Sequence, residues 1–224
     1  TMSTPLLHPP KVALFDMDGT LVDSERVWSE ALSLVFEELG ETQTARRLMD
    51  VTYGLAWPDA YAALREHFPK AVYGYSQQRL GHALCVKFDA LFAVAPPAIP
   101  SAIALLRRCR AAGIRCGIVS GSPRATIEAN LRALNLTESF DLVRTVPSDD
   151  MPRGKPFPDG YLLALKRFGI SASEAVAFED SRVGSTSAVA AGIRTYVCPP
   201  PSSAPRQDYP AMACRVTSWD EITF

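Results

Sequence analysis

At 224 residues and 47% hydrophobic, the chain is long enough to bury a sizeable core, either as one large domain or as a core with a smaller insertion. Lys plus Arg (23) nearly balances Asp plus Glu (24), for a net charge of -1, and no basic run is present to follow a phosphate backbone, which argues against a nucleic-acid partner. No apolar run approaches the ~20 residues of a membrane span, and Thr1 to Pro10 lacks the basic-then-apolar order of a signal peptide.

Short apolar runs at Lys11 to Phe15, Arg115 to Val119, Leu142 to Val146, Ala175 to Phe178 and Ile193 to Val197 read as buried parallel strands. Helical patterns with start and stop signals separate most of them: Ser101 to Ala112 before Gly113, Pro123 to Leu134, Pro158 to Phe168 before Gly169, and Arg182 to Ala191 before Gly192. The alternation predicts an α/β fold with a parallel sheet and helices on both faces. One connection breaks the rhythm. After the first strand come about eighty residues with helical patterns alone, too many for a simple crossover: Ser24 to Leu39, Thr44 to Asp50, Asp59 to His67 and Ser76 to Phe92. An α-helical subdomain over residues 21–96, returning through the Pro-rich stretch Ala95 to Pro100, is the simplest account. Residues 11–20 and 97–224 then make the core. The tail from Cys198 to Pro210, rich in Pro and Ser, reads as a surface loop before a short final element.

The five cysteines (Cys85, Cys109, Cys116, Cys198, Cys214) are odd in number, lack C-x-x-C spacing and mostly sit among apolar residues. They read as reduced thiols, and with no targeting signal the expected location is the cytoplasm. No long heptad pattern suggests a coiled-coil dimer, so a monomer is expected.

Chemistry concentrates at strand ends, where parallel sheets bind ligands. The first strand runs into Asp16-Met17-Asp18-Gly19-Thr20. Two carboxylates at i and i+2 share a face, and a glycine there admits positive φ and close backbone approach. The second strand delivers Ser120-Gly121-Ser122-Pro123, and another delivers Glu179-Asp180. A loop adds Lys155 within Arg153 to Asp159. Taken singly, each has a plainer use. Ser120-Gly121-Ser122-Pro123 or Asp180-Ser181 would serve as a helix cap, and Lys155 as a solvated surface charge. Their convergence on one edge favours a site. Four carboxylates and one ammonium leave an excess of about three negative charges, and two like charges ~4 Å apart repel by roughly 4 kcal/mol at an effective dielectric near 20. A phosphate would not enter without a divalent cation, and hard oxygen ligands select Mg²⁺ over Zn²⁺.

Together Phe15-Asp16-Met17-Asp18-Gly19-Thr20, Val119-Ser120-Gly121-Ser122, Gly154-Lys155-Pro156 and Glu179-Asp180-Ser181 resemble the four ordered motifs of the haloacid dehalogenase superfamily of phosphohydrolases. The resemblance implies a Rossmann-like core with a helical cap inserted between the first two motifs. It implies Asp16 as the nucleophile that forms an aspartyl-phosphate, Asp18 as the general acid and base, and Lys155 as the group that offsets charge and restrains Asp16. Ser120 and the Gly121 N–H would hold phosphoryl oxygens. Asp16, the Asp18 carbonyl, Asp180 and Glu179, directly or through water, would bind Mg²⁺.

Departures from the relatives narrow this. Asp18 argues against dehalogenation, whose leaving group needs no proton. The helix after Asp23 offers no lysine for the Schiff base of the phosphonate-cleaving branch. The β-phosphoglucomutase group has a histidine where Trp28 falls and a phosphate-gripping arginine where Trp57 falls. The expected activity is therefore Mg²⁺-dependent hydrolysis of small phosphate monoesters, sugar or sugar-acid phosphates above all. A sugar phosphomutase and a non-catalytic phosphoryl-ligand binding protein stay open. Glu25, Trp28, Gly54 and Trp57 are the candidates for leaving-group selection, and both indoles would equally serve as packing in the cap.

Overall fold

The computed structural model describes residues 9–52, 55, 57–94, 97–199 and 208–223. These fall into two units, one holding the chain up to Val22 and again from Ala98, the other holding Asp23–Pro97.

The first unit is built on a parallel sheet. Its strands are β1 (Val12–Phe15), β2 (Arg115–Ile118), β3 (Ala175–Glu179), β4 (Arg194–Val197) and the two-residue β5 (Cys214–Arg215), in the order β2-β1-β3-β4-β5. Register aligns Phe15 with both Ile118 and Phe178, so β1, β2 and β3 end level with one another. The crossovers run through α5 (Pro100–Ala111), α6 (Arg124–Ala133), α7 (Asp159–Phe168) and α8 (Arg182–Ala190). Period-2 alternation divides the strand side chains between two covered faces. Val12, Leu14, Ala175 and Ala177 pack with Tyr161, Ala164 and Phe168 of α7 and with Ala188 of α8. On the other face Phe15 meets Phe140 edge-on at 5.7 Å, and Phe178 meets Trp219 at 5.5 Å. There Arg108 of α5 donates to the Trp219 carbonyl. All four residues of β1 are buried, as a strand covered on both sides requires.

One expected strand is corrected. Leu142 to Val146 winds into a turn: the Asp141 carboxylate accepts the Arg144 N–H and the Asp141 carbonyl accepts the Thr145 N–H. Val143, which a strand would have buried, is 84% exposed. Its end reaches the sheet: the Thr145 hydroxyl accepts the Ile118 N–H at 3.2 Å, and Val146 donates to the Ile118 carbonyl at 2.8 Å and accepts from the Ser120 N–H at 3.1 Å. Among the described cysteines Cys109, Cys116 and Cys198 are buried, Cys85 and Cys214 are exposed, and all are free thiols.

The second unit holds four helices, α1 (Ser24–Glu38), α2 (Ala45–Thr52), α3 (Trp57–His67) and α4 (Gln77–Val94). Its own core gathers Leu32, Val35 and Phe36 of α1, Leu48, Leu64, Leu80 and Leu84, with Phe68 edge-on to Phe36 at 5.5 Å. The exit and return of the chain run side by side. Val22 bridges Ala98 antiparallel, the Ile99 N–H donates to the Leu21 carbonyl and the Asp23 N–H to that of Pro97. No described helix is long and apolar enough to cross a membrane.

Candidate active site

The ladder of β1 runs one residue past the strand, where the Asp16 N–H donates to the Phe178 carbonyl at 2.9 Å. Beyond it the Met17 carbonyl accepts the N–H groups of Thr20, Leu21 and Val22, folding the chain into a tight loop. Gly19 at the apex has φ +85°, and a Cβ there would stand 2.1 Å from Asp180 Oδ2. Glycine is needed for the backbone and for the close approach alike.

Past β2, the Val119 N–H donates to the Phe15 carbonyl, which sets Ser120 beside the end of β1. Ser120 is fully buried and its Oγ accepts the Ser122 N–H at 3.0 Å. It does not cap α6. Pro123 holds the cap position, and the Asp149 carboxylate accepts the Arg124 N–H at 2.8 Å instead. Ser122, in the same run, donates its hydroxyl to Asp18 Oδ2 at 2.7 Å. Gly121 between them is exposed, with open space where a side chain would be.

Lys155 ties the strand ends together. Its ammonium meets Asp16 Oδ1 at 2.6 Å, Glu179 Oε1 at 2.7 Å and the Val119 carbonyl at 2.9 Å, so each of its three protons has an acceptor. Asp16, Glu179 and Asp180 each place a carboxylate oxygen within 4.8 Å of the others, and all three are buried. The Asp18 carboxylate stands outside that cluster, on Ser122. Three carboxylates against one ammonium leave two excess negative charges. Burial, reinforced by Glu179 and Asp18 and opposed by Lys155, pushes the Asp16 carboxyl up to about 8. Burial and the charges of Asp16 and Glu179 likewise hold Asp180 well above the usual carboxylate range. Burial works against the Lys155 ammonium, but the two carboxylates it touches outweigh that and raise it.

The donor set fits a hard divalent cation. It is all oxygen, it is anionic in excess, and Glu179 Oε2 is buried with no hydrogen-bond partner among the described residues, an acceptor that a cation or its water would satisfy. Two further residues shape Glu179. Tyr161, buried on α7, donates its hydroxyl to Oε1 at 2.6 Å. Gly184 leaves the carboxylate its room, since a Cβ there would lie 1.9 Å from Oε2. Of the pair Asp180-Ser181, Ser181 caps α8 by accepting the Gly184 N–H. The Asp180 carbonyl accepts from the Tyr209 hydroxyl at 3.1 Å.

The remaining candidates belong to the helical unit. Trp28 is half-buried and meets Phe88 edge-on at 5.1 Å. Trp57 donates its indole N–H to the Gln77 carbonyl at 3.3 Å and lies against Gly81. Both indoles pack on that unit's own core. Glu25 lies in the first turn of α1, its carbonyl accepting from the Ser29 hydroxyl. Gly54 lies outside the described residues.

Residues 10–192 match the family described as haloacid dehalogenase-like hydrolase. Over 222 residues, 99% of this chain and 97% of the relative, the sequence is 29% identical to hexitol phosphatase B of Escherichia coli K12. It is 30% identical over 191 residues, 82% of each chain, to a phosphorylated carbohydrates phosphatase of Thermotoga maritima. Among solved structures, a HAD family hydrolase of Deinococcus radiodurans with bound phosphate and sodium superposes with a TM-score of 0.76 at 28% identity, covering 95% of this chain and 93% of that one.

Proposed function

This chain belongs to the haloacid dehalogenase-like hydrolases, and we propose that within them it is a Mg²⁺-dependent phosphatase of small phosphorylated sugars or sugar alcohols. The observation that carries the reading is the meeting of Asp16, Glu179 and Asp180, the first two on the Lys155 ammonium, next to a fourth carboxylate, Asp18, held by Ser122. Two relatives named for hexitol and carbohydrate phosphates support the substrate class.

In this reading a carboxylate oxygen of Asp16 attacks phosphorus, the bond to the substrate oxygen breaks, and Asp18 gives its proton to the departing alkoxide. Water then attacks the aspartyl-phosphate, Asp18 takes its proton, and Asp16 and inorganic phosphate are released. With Oδ2 engaged by Ser122, Oδ1 of Asp18 is left to carry the proton in both halves. Lys155 holds Asp16 Oδ1 in place and offsets charge that builds on the phosphoryl group. The Ser120 hydroxyl and Gly121 N–H are the donors for its oxygens. Asp16, Asp180, Glu179 and the Asp18 carbonyl would hold Mg²⁺, which when bound neutralises the phosphoryl oxygens and the crowded carboxylates.

The test is phosphate release from a panel of sugar, sugar-acid, hexitol and nucleoside monophosphates, with Mg²⁺ and with chelator. The expected result is metal-dependent release, greatest on sugar and hexitol phosphates, that Asp16→Asn lowers at least ~10³-fold. Retention of most activity in Asp16→Asn would remove the nucleophile. Isomerisation stimulated by a trace of sugar bisphosphate, without net release, would make the protein a phosphomutase.

A further inference from the structure

Glu179 is loaded unevenly. Its side chain is fully buried, and Oε1 takes two donors, Lys155 Nζ at 2.7 Å and the Tyr161 hydroxyl at 2.6 Å. Oε2 takes no donor among the described residues although solvent does not reach it. A carboxylate free to rotate about its Cγ–Cδ bond would share one donor between both oxygens, but two donors converging on one oxygen oppose that rotation. Both come from one stretch of chain. Tyr161 is the third residue of α7 and follows Lys155 by six positions, and its ring centroid lies 5.6 Å from the ammonium. A phenylalanine would fill the same space against Val12, Leu14 and Ala177. A phenol in that place must find its hydroxyl a partner, and it finds Glu179.

We propose that Tyr161 is a positioning residue for the metal-binding carboxylate: its hydroxyl locks Glu179 so that Oε1 stays with Lys155 and Oε2 remains the oxygen presented to the cation. Lys155, relieved of holding Glu179 alone, keeps its contact with Asp16 Oδ1. The inference rests on the assignment of Glu179 to Mg²⁺ binding, directly or through one water.

The deciding variant is Tyr161→Phe, which keeps the ring, the helix and the stacked ammonium and removes only the hydroxyl. Calorimetric titration of the metal-free protein with Mg²⁺, and Mn²⁺ titration followed by electron paramagnetic resonance, read the effect without turnover. Dissociation constants should rise about tenfold, the usual effect of losing a residue that orients a metal ligand. Turnover at saturating Mg²⁺ should recover towards the wild type while the Mg²⁺ concentration for half-activity rises in step. In a Glu179→Gln background the same substitution should shift the constant by less than about twofold, because the two groups act as a pair. A wild-type-like constant in Tyr161→Phe, or an undiminished tenfold loss in the Glu179→Gln background, overturns the positioning role while leaving the metal assignment intact. A wild-type chain that binds neither ion overturns both. Should Tyr161→Phe not fold, the Tyr161 hydroxyl proton of the wild type serves as probe. A slowly exchanging low-field resonance that moves on Mg²⁺ addition supports the inference, and its indifference to Mg²⁺ refutes it.

Discussion

Each unit is ordered internally by a different kind of contact. At the ends of β1, β2 and β3, buried charges fix one another: Lys155 has three acceptors, Asp18 is held by a hydroxyl, and glycines at 19 and 184 leave room for carboxylates that a methyl group would displace. In the helical unit the organising contacts are apolar, from Phe36 on Phe68 to Trp28 on Phe88, and ion pairs such as Arg26–Glu30 lie on its surface. An electrostatic cluster fails when one member is removed, because an uncompensated buried charge is left behind. An apolar cluster gives way by degrees. Chemistry that must stay constant therefore suits the first kind of construction, and features that vary between substrates suit the second.

The sharpest way to break this contrast is Lys155→Met. Taking away the ammonium leaves Asp16 and Glu179 facing each other unpaired, a loss of about 3–5 kcal/mol of stability by the measure of other broken buried pairs. Urea denaturation in chelator reads it, and added Mg²⁺ should recover part of it. A variant as stable as the wild type would show that the cluster is not held by charge.

A smaller effect is expected from pH. With its carboxyl pushed up to about 8, Asp16 keeps a proton in the folded chain that the unfolded chain gives up near the ordinary carboxylate value of ~4. Between those limits the folded state binds more protons, so the contribution of Asp16 to stability falls as pH rises. Without metal, the melting temperature of the wild type relative to Asp16→Asn should therefore decline from pH 5 to pH 8, and the gain from Mg²⁺ should be larger at the upper end. Calorimetry of both proteins checks this, and a difference that grows with pH contradicts it.

The mildest test lies in the other unit. Phe36→Leu removes part of a fully buried ring and should cost about 1–2 kcal/mol without altering the Mg²⁺ dissociation constant. A changed constant would mean that the apolar cluster and the charged one are coupled.

Much of this was legible because the same residues carry several signals at once. Asp16, Asp18, Glu179 and Asp180 follow apolar strands, and each falls where the chain must turn. What escaped was whatever resembled ordinary packing. Tyr161 occupies a core position of an amphipathic helix, and the sole hint of its polar duty is that a fully buried tyrosine owes its hydroxyl a partner. Gly184 lies inside α8, where a glycine costs roughly 1 kcal/mol against alanine. That penalty becomes intelligible once the Glu179 carboxylate is seen above it. Ser122 passed as part of a capping run. Leu142 to Val146 carried an apolar pattern, but Asp141 had hydrogen bonds to offer a turn. β5, two exposed residues long, has no periodicity to detect. Of the leaving-group candidates, neither Trp28 nor Trp57 carries a signal that separates contact with a ligand from support of the helices around it.

The paired exit and return at Val22 and Ala98 has an evolutionary corollary. Because the two crossings are stitched to each other by main-chain bonds, the segment from Asp23 to Pro97 is grafted onto the sheet much as a branch is onto rootstock. It can be lengthened, exchanged or pruned to a short linker while the strand register around Asp16 stays as it is, because the bonds that close the graft lie in the main chain at its base and not in the inserted helices.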